Sequence, residues 1–148
     1  MHHDAKLSNI LFDQNTRKVV CPVDLDTTQA GYFFSDLGDM IRSMACSQSE
    51  NCIDFSSIYI KSGFYEAIID VYMAAIKDEF TEEEGKNIHY AGLLMIYMQA
   101  LRYMTDYLNG DIYYRITYSE QNFDRAKNQL TLLQRLEEFL REKFSFKI

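Results

Sequence analysis

The chain has no tryptophan, a single proline and six glycines so scattered that no glycine-rich loop can be drawn from them. That scatter excludes, within these 148 residues, the backbone cradle that covers nucleotide phosphates. The lack of tryptophan argues against an aromatic cage for a quaternary amine. Three cysteines, Cys21, Cys46 and Cys52, make no CxxC pair and leave an odd count, so neither a zinc site nor a disulfide framework is suggested and reduced thiols are expected. Cations are outnumbered, 15 Lys and Arg against 22 Asp and Glu. The net charge of −7 speaks against nucleic acid and anionic membranes as partners, since both reward clustered Lys and Arg. No apolar run approaches the span of a bilayer, and no basic stretch followed by an apolar one opens the chain. A cytoplasmic protein acting on a small molecule is the expectation.

What is present suits one domain, residues 1–148, because 47% hydrophobic residues in this length can build one sizeable core. Ile10 to Asp13 and Lys18 to Leu25 are β-prone runs joined by the polar Gln14-Asn15-Thr16, which predicts a hairpin within residues 1–30. Pro22 cannot donate to a ladder and belongs at an edge or bulge. From residue 31 onward the pattern is helical. Ser35 is a candidate N-cap, with Asp36 and Asp39 in the first turn and Ile41, Met44 and Ala45 as the apolar stripe; Ser47 to Asp54 reads as a loop. Phe64, Ala67, Ile68, Val71, Tyr72, Ala75 and Ile76 repeat at helical spacing. Thr81-Glu82-Glu83-Glu84 fits a capping box opening a helix to Leu108, stopped by Asn109-Gly110 and apolar nearly all round from Ala91. A last helix spans about Ser119 to Phe144, with Phe123, Ala126, Leu130, Leu133, Leu136 and Leu140 on one face. The expected class is mainly α with a small β-hairpin, an α+β arrangement.

Chemistry-bearing residues gather near the start. His2-x-Asp4-x-Lys6-x-x-Asn9 has the spacing of a kinase catalytic loop, and the hairpin after it leads to Val23-Asp24-Leu25-Asp26. On a regular strand Asp24 and Asp26 would share a face, so both could reach a metal that takes hard oxygen ligands.

Together with Phe34-Ser35-Asp36-Leu37-Gly38-Asp39 and Arg42, these motifs make residues 2 to 43 resemble the catalytic core of the aminoglycoside phosphotransferase and choline kinase superfamily. The closer resemblance is to bacterial N-acetylhexosamine kinases. It extends to Arg102-x-x-Thr105-Asp106-Tyr107-Leu108-x-Gly110-Asp111-x-Tyr113 and to Asn122-x-x-Arg125-Ala126-x-x-Gln129. The resemblance implies the C-terminal lobe of a protein-kinase-like fold, with ATP as co-substrate and Mg²⁺ as cofactor. It implies Asp4 as general base, Asn9 and Asp24 as metal ligands with Asp26 beside them, and a phosphoryl-steadying Lys6, which could equally be a solvated surface lysine. It also implies structural support from His2 and from Asp36, the latter accepting hydrogen bonds from the loop backbone. Arg102 and Tyr113 match sugar-contacting positions; alternatively Arg102 pairs with Asp106 at i+4, and Tyr113, one of eleven tyrosines, merely packs.

The implied reaction moves the γ-phosphate of ATP to the anomeric hydroxyl of an N-acetylhexosamine. Departures are His3 at the variable loop position, Ala5 where Thr is usual, Pro22 before the metal strand, and no glycine-rich loop or strand lysine and helix glutamate ahead of the loop. The N-terminal nucleotide lobe is thus expected to be lacking, which leaves one wall of an ATP site and an apolar surface inviting a homodimer. Alternative acceptors are an aminoglycoside, choline or an amino-alcohol. A non-catalytic domain that binds a sugar or a protein is the alternative of another class.

Overall fold

The computed structural model describes residues 1–147 and is mainly helical, 59%, with one two-stranded antiparallel sheet. A 3₁₀ turn at Leu7–Asn9 leads into β1, Ile10–Phe12, which pairs with β2, Val19–Pro22. The turn between them is tied by Asp13, whose Oδ1 accepts from the amides of Asn15 and Thr16 at 3.1 and 2.6 Å. A bulge falls between Leu11 and Phe12. β2 is shorter than the sequence pattern implies. The ladder stops at Pro22, which has no N–H; the next amide, that of Val23, instead donates to Asn9 O at 2.9 Å.

Five α-helices follow: α1 Phe34–Met40, α2 Ser62–Ile76, α3 Glu82–Lys86, α4 Tyr90–Leu108 and α5 Gln121–Phe144. α1 begins one residue before Ser35 and runs on as a π turn, Ile41–Ala45. Ser35 does not cap it: its hydroxyl bonds to His3 Nδ1 at 2.8 Å and donates to Tyr32 O at 3.2 Å. The capping box at Thr81 is present, but the helix it opens ends at Lys86, and a turn at Asn87–His89 separates α3 from α4.

α4 packs along α5, and α1 lies across α4. Two glycines make those crossings close. A methyl on Gly38 would meet the Ala91 carbonyl and Met95, and one on Gly92 would meet Ile41 and Leu136. Leu37, Ile41, Ile96, Leu132, Leu136 and Leu140 form the centre of the core, and Tyr65 enters it from α2.

Three expected faces are rotated or narrower. In α2 the buried side carries Tyr65, Ile68, Ile69, Tyr72 and Met73, while Phe64 and Val71 face outward. α4 is not apolar all round in its setting; Ala91, Gly92, Leu93, Ile96, Ala100 and Tyr103 are buried, but Tyr97, Met98, Leu101 and Leu108 are exposed. In α5, Leu132 is buried and Leu130 exposed.

Candidate functional site

The segment before β1 is held from beneath by α1. Asp36 is buried and accepts the amides of His2 and His3 at 2.8 and 2.7 Å, the contacts expected of it. His2 Nε2 bonds to Val23 O at 3.0 Å, which ties the loop to the segment after β2. These bonds fix the backbone on both sides of a bend in which His3 adopts a left-handed φ of 64°. The His3 ring lies so close to Gly31 that any Cβ there would collide with it.

Above this support three side chains converge. Lys6 Nζ bonds to Asp4 Oδ2 at 2.6 Å; Asn9 Nδ2 donates to the same oxygen at 2.9 Å, to the Asp4 carbonyl at 2.9 Å, and toward Asp24 Oδ2 at 3.4 Å. Burial works against the Asp4 charge, but the hydrogen bonds from Lys6 and Asn9 and the nearby cations outweigh it and hold the carboxyl below its ordinary range. Asp4 is therefore an acceptor at neutral pH. Among the described residues, its Oδ1 takes no hydrogen bond.

Asp24 and Asp26 are not on a strand. Asp24 has a left-handed φ of 63° and precedes a 3₁₀ turn, Leu25–Thr27, because the ladder has already ended at Pro22 and Asp tolerates this conformation. The bend does what strand alternation was expected to do: it sets the two carboxyls against each other. The Asp26 hydrogen bond, and then repulsion from Asp26, push Asp24 above its ordinary value. Among the described residues no three His, Cys, Asp or Glu side chains form a metal cage. A divalent cation bound mainly through a substrate's phosphates needs only one or two carboxylates, and hard oxygens on mutually repelling aspartates beside Asn9 fit such an ion.

One cleft of about 450 Å³ carries Asp4 and Lys6 at one part of its wall and Arg102 and Tyr113 at another. Asn9, Asp24, Asp26, His2 and Asp36 do not line it. The i+4 pairing of Arg102 with Asp106 does not occur. Arg102 is exposed, and its guanidinium stands over the rings of Tyr113 and Tyr114 at 5.9 and 5.7 Å. Asp106 turns inward, where its carboxylate accepts the amides of Ile112, Tyr113 and Tyr114 at 3.0, 2.8 and 2.9 Å and the Asn122 amide at 2.9 Å. Tyr113 is thus placed by its backbone, and its side chain is 74% exposed.

Asp39 and Arg42, both within the quoted motif, also line the cleft, whereas Glu50 carries no signal that spacing alone could read. Arg42 in the π turn is buried and pairs with Asp39 and Glu50, each at 3.0 Å. Burial pushes the Asp39 carboxyl up, against the pull of Arg42. Glu50 lies in the 47–54 loop, which α5 holds: Asn128 Nδ2 donates to the carbonyls of Ser49 and Cys52 at 3.1 and 2.9 Å. Gln121 and Arg125 both donate to Asn51 Oδ1, at 3.1 and 2.8 Å. The buried polar residues of α5 were the readable sign that a loop is anchored there. No helix among the described residues is long and apolar enough to cross a membrane. A scan against models of known protein families matches none of them to this chain.

Proposed function

We propose that this chain is the catalytic lobe of a protein-kinase-like small-molecule phosphotransferase, moving the γ-phosphate of ATP to a sugar hydroxyl, with the anomeric hydroxyl of an N-acetylhexosamine as the acceptor. The observation that carries this is the single cleft in which an ionised Asp4, fixed by Lys6 and Asn9, shares walls with Arg102 and Tyr113. Asp4 Oδ1 is the atom available to take the proton of the attacking hydroxyl. Lys6 steadies charge on the phosphoryl group as it transfers, and its bond to Asp4 keeps the base anionic. Asn9, Asp24 and Asp26 would hold Mg²⁺, which when bound neutralises charge on the phosphates. The tyrosine rings near Arg102 offer an apolar face and hydroxyl tips to a sugar. The loop motif resembles the superfamily as a whole, and the later motifs, through residues 102–113 and 122–129, resemble its sugar-kinase branch, which points the same way. Cationic acceptors such as an aminoglycoside, choline or an amino-alcohol fit less well, because arginines line the cleft.

The test uses labelled ATP, Mg²⁺ and a panel of N-acetylhexosamines with the lobe produced together with a nucleotide-binding N-terminal lobe, alongside Mn²⁺ binding measured with ATP present. Asp4→Asn should lower transfer about 10²- to 10⁴-fold with Mn²⁺ binding intact, as loss of a general base does. Asn9→Ala and Asp24→Ala should lose the metal. Equal transfer by Asp4→Asn, or no labelled hexosamine, would sink this reading.

A second reading concerns the hairpin, where Leu11, Phe12, Val19 and Val20 are exposed, the two valines by 61% and 62%. We infer that this apolar surface joins two copies of the chain as a homodimer. Light scattering that finds only monomer at every concentration tried would end it.

A further inference from the structure

The cleft has a charge balance opposite to that of the chain. Five cations line it, Lys6, Arg42, Arg102, Arg115 and Arg125, against three carboxylates, Asp4, Asp39 and Glu50, in a protein of net charge −7. All three carboxylates are engaged, Asp4 with Lys6 at 2.6 Å and the other two with Arg42 at 3.0 Å each. Among the described residues, Arg102, Arg115 and Arg125 have no carboxylate within ion-pair distance. Arg125 is braced by neutral oxygens: those of Asn51 and Asn122, each at 2.8 Å, and the Arg115 carbonyl at 3.3 Å. Its guanidinium also faces the Tyr103 ring at 5.5 Å, as Arg102 faces Tyr113 and Tyr114. Ring faces stabilise a cation without cancelling its charge. Three guanidiniums lining one cleft without carboxylate partners leave positive charge there for an anion to answer, and their planar forks match a carboxylate or phosphate.

We infer that the acceptor bound in this cleft carries an anionic substituent, a carboxylate or a phosphate ester, held by Arg102, Arg115 and Arg125 apart from the hydroxyl that meets Asp4. This rests on the phosphotransferase reading and revises its acceptor from a neutral N-acetylhexosamine to an acidic sugar, whether a hexosamine bearing an acid group or a sugar acid. The ATP phosphates are a poorer answer to these arginines. Asp24 and Asn9, which would hold the phosphate-bound metal, lie outside the lining of the cleft, whereas all three arginines belong to it. The charge also explains how an acidic ligand could approach so acidic a protein: attraction is local to the cleft, and salt would weaken it.

Calorimetric titration of the intact protein, without ATP or metal, tests this with N-acetylglucosamine, glucuronate, N-acetylglucosamine 6-phosphate and inorganic phosphate. At least one acidic sugar should bind about tenfold or more tightly than the neutral one, the scale of charge-assisted hydrogen bonds, and which one identifies the substituent. The preference should vanish in Arg102→Gln/Arg115→Gln, two exposed positions whose replacement leaves the braced Arg125 and the fold in place. Equal binding of neutral and acidic sugars overturns the inference, as does a preference that survives the double substitution. Binding of inorganic phosphate with no acidic sugar bound overturns it too, as does no binding at all. Because no nucleotide is present, failure of phosphoryl transfer in its own assay leaves this outcome readable, and the reverse holds equally.

Discussion

Asp106 accepts four hydrogen bonds at the end of α4, three of them from consecutive amides, and so shapes the 111–114 segment that carries Tyr113 into the cleft wall. Burial raises its pKa, but the amides of Tyr114, Tyr113 and Ile112 more than offset this, and the carboxyl sits below its ordinary value of 3.8. A depressed carboxyl adds stability that is complete above the unfolded pKa and is lost as pH falls through the folded one. Asp106→Asn should therefore have a lower Tm than the parent at neutral pH, and the gap should close as pH falls below about 4; thermal scans across that range read it, and a gap that is constant with pH would contradict it. Spacing had suggested an i+4 partner for Arg102 at this position. It could not show that amides six to eight residues onward reach the carboxylate first, because that depends on the reversal at Gly110, where φ is 88°. The residues around the loop were more legible. Asp4 and Asn9 meet within one short stretch, and Asp36 in the first turn of the next helix takes the amides of His2 and His3.

At the scale of elements, existence and type could be read and orientation could not. The sequence pattern put Phe64, Ala67, Ile68, Val71, Tyr72, Ala75 and Ile76 on one stripe of α2; of these Ile68 and Tyr72 pack against the core, while Phe64 and Val71 face outward, and a neighbouring stripe fits helical spacing as well. The stripe that lands on the core is the one bearing Tyr65, whose hydroxyl bonds to His89 Nδ1 at 2.8 Å. Either stripe satisfies periodicity; only the neighbouring helices choose. β2 was read too long, to Leu25, with Pro22 placed only at an edge or bulge. Pro22 ends the ladder, and the turn at Asp24 follows. Where α1 crosses α4, Gly38 lets a backbone carbonyl approach, so Gly38→Ala should cost about 1–3 kcal/mol by overpacking. Denaturant unfolding checks this; a variant as stable as the parent would mean that the crossing can widen freely. Gly63 and Gly85, with open space beside them, provide the control.

For the molecule as a whole, the exposed hairpin and the net charge act against each other. A charge of −7 keeps copies apart, while Leu11, Phe12, Val19 and Val20 favour association. If the hairpin is the dimer surface, Val20→Lys should weaken association about tenfold or more, the scale of one buried valine. Sedimentation equilibrium measures the change, and an unaltered dimer would place the interface elsewhere. By itself the sequence determined the helical class, the hairpin, the close grouping of Asp4, Lys6 and Asn9, and the acidic balance, because periodicity, turn chemistry and charge are properties of neighbouring residues. Tertiary structure alone decided that Arg102, Arg115 and Arg125 line the same cleft as Asp4 and, among the described residues, stand without carboxylate partners. Those arginines lie about a hundred residues from the loop. Only the packing of α4 against α1 and α5 brings such distant side chains to one wall, and no spacing rule encodes that meeting.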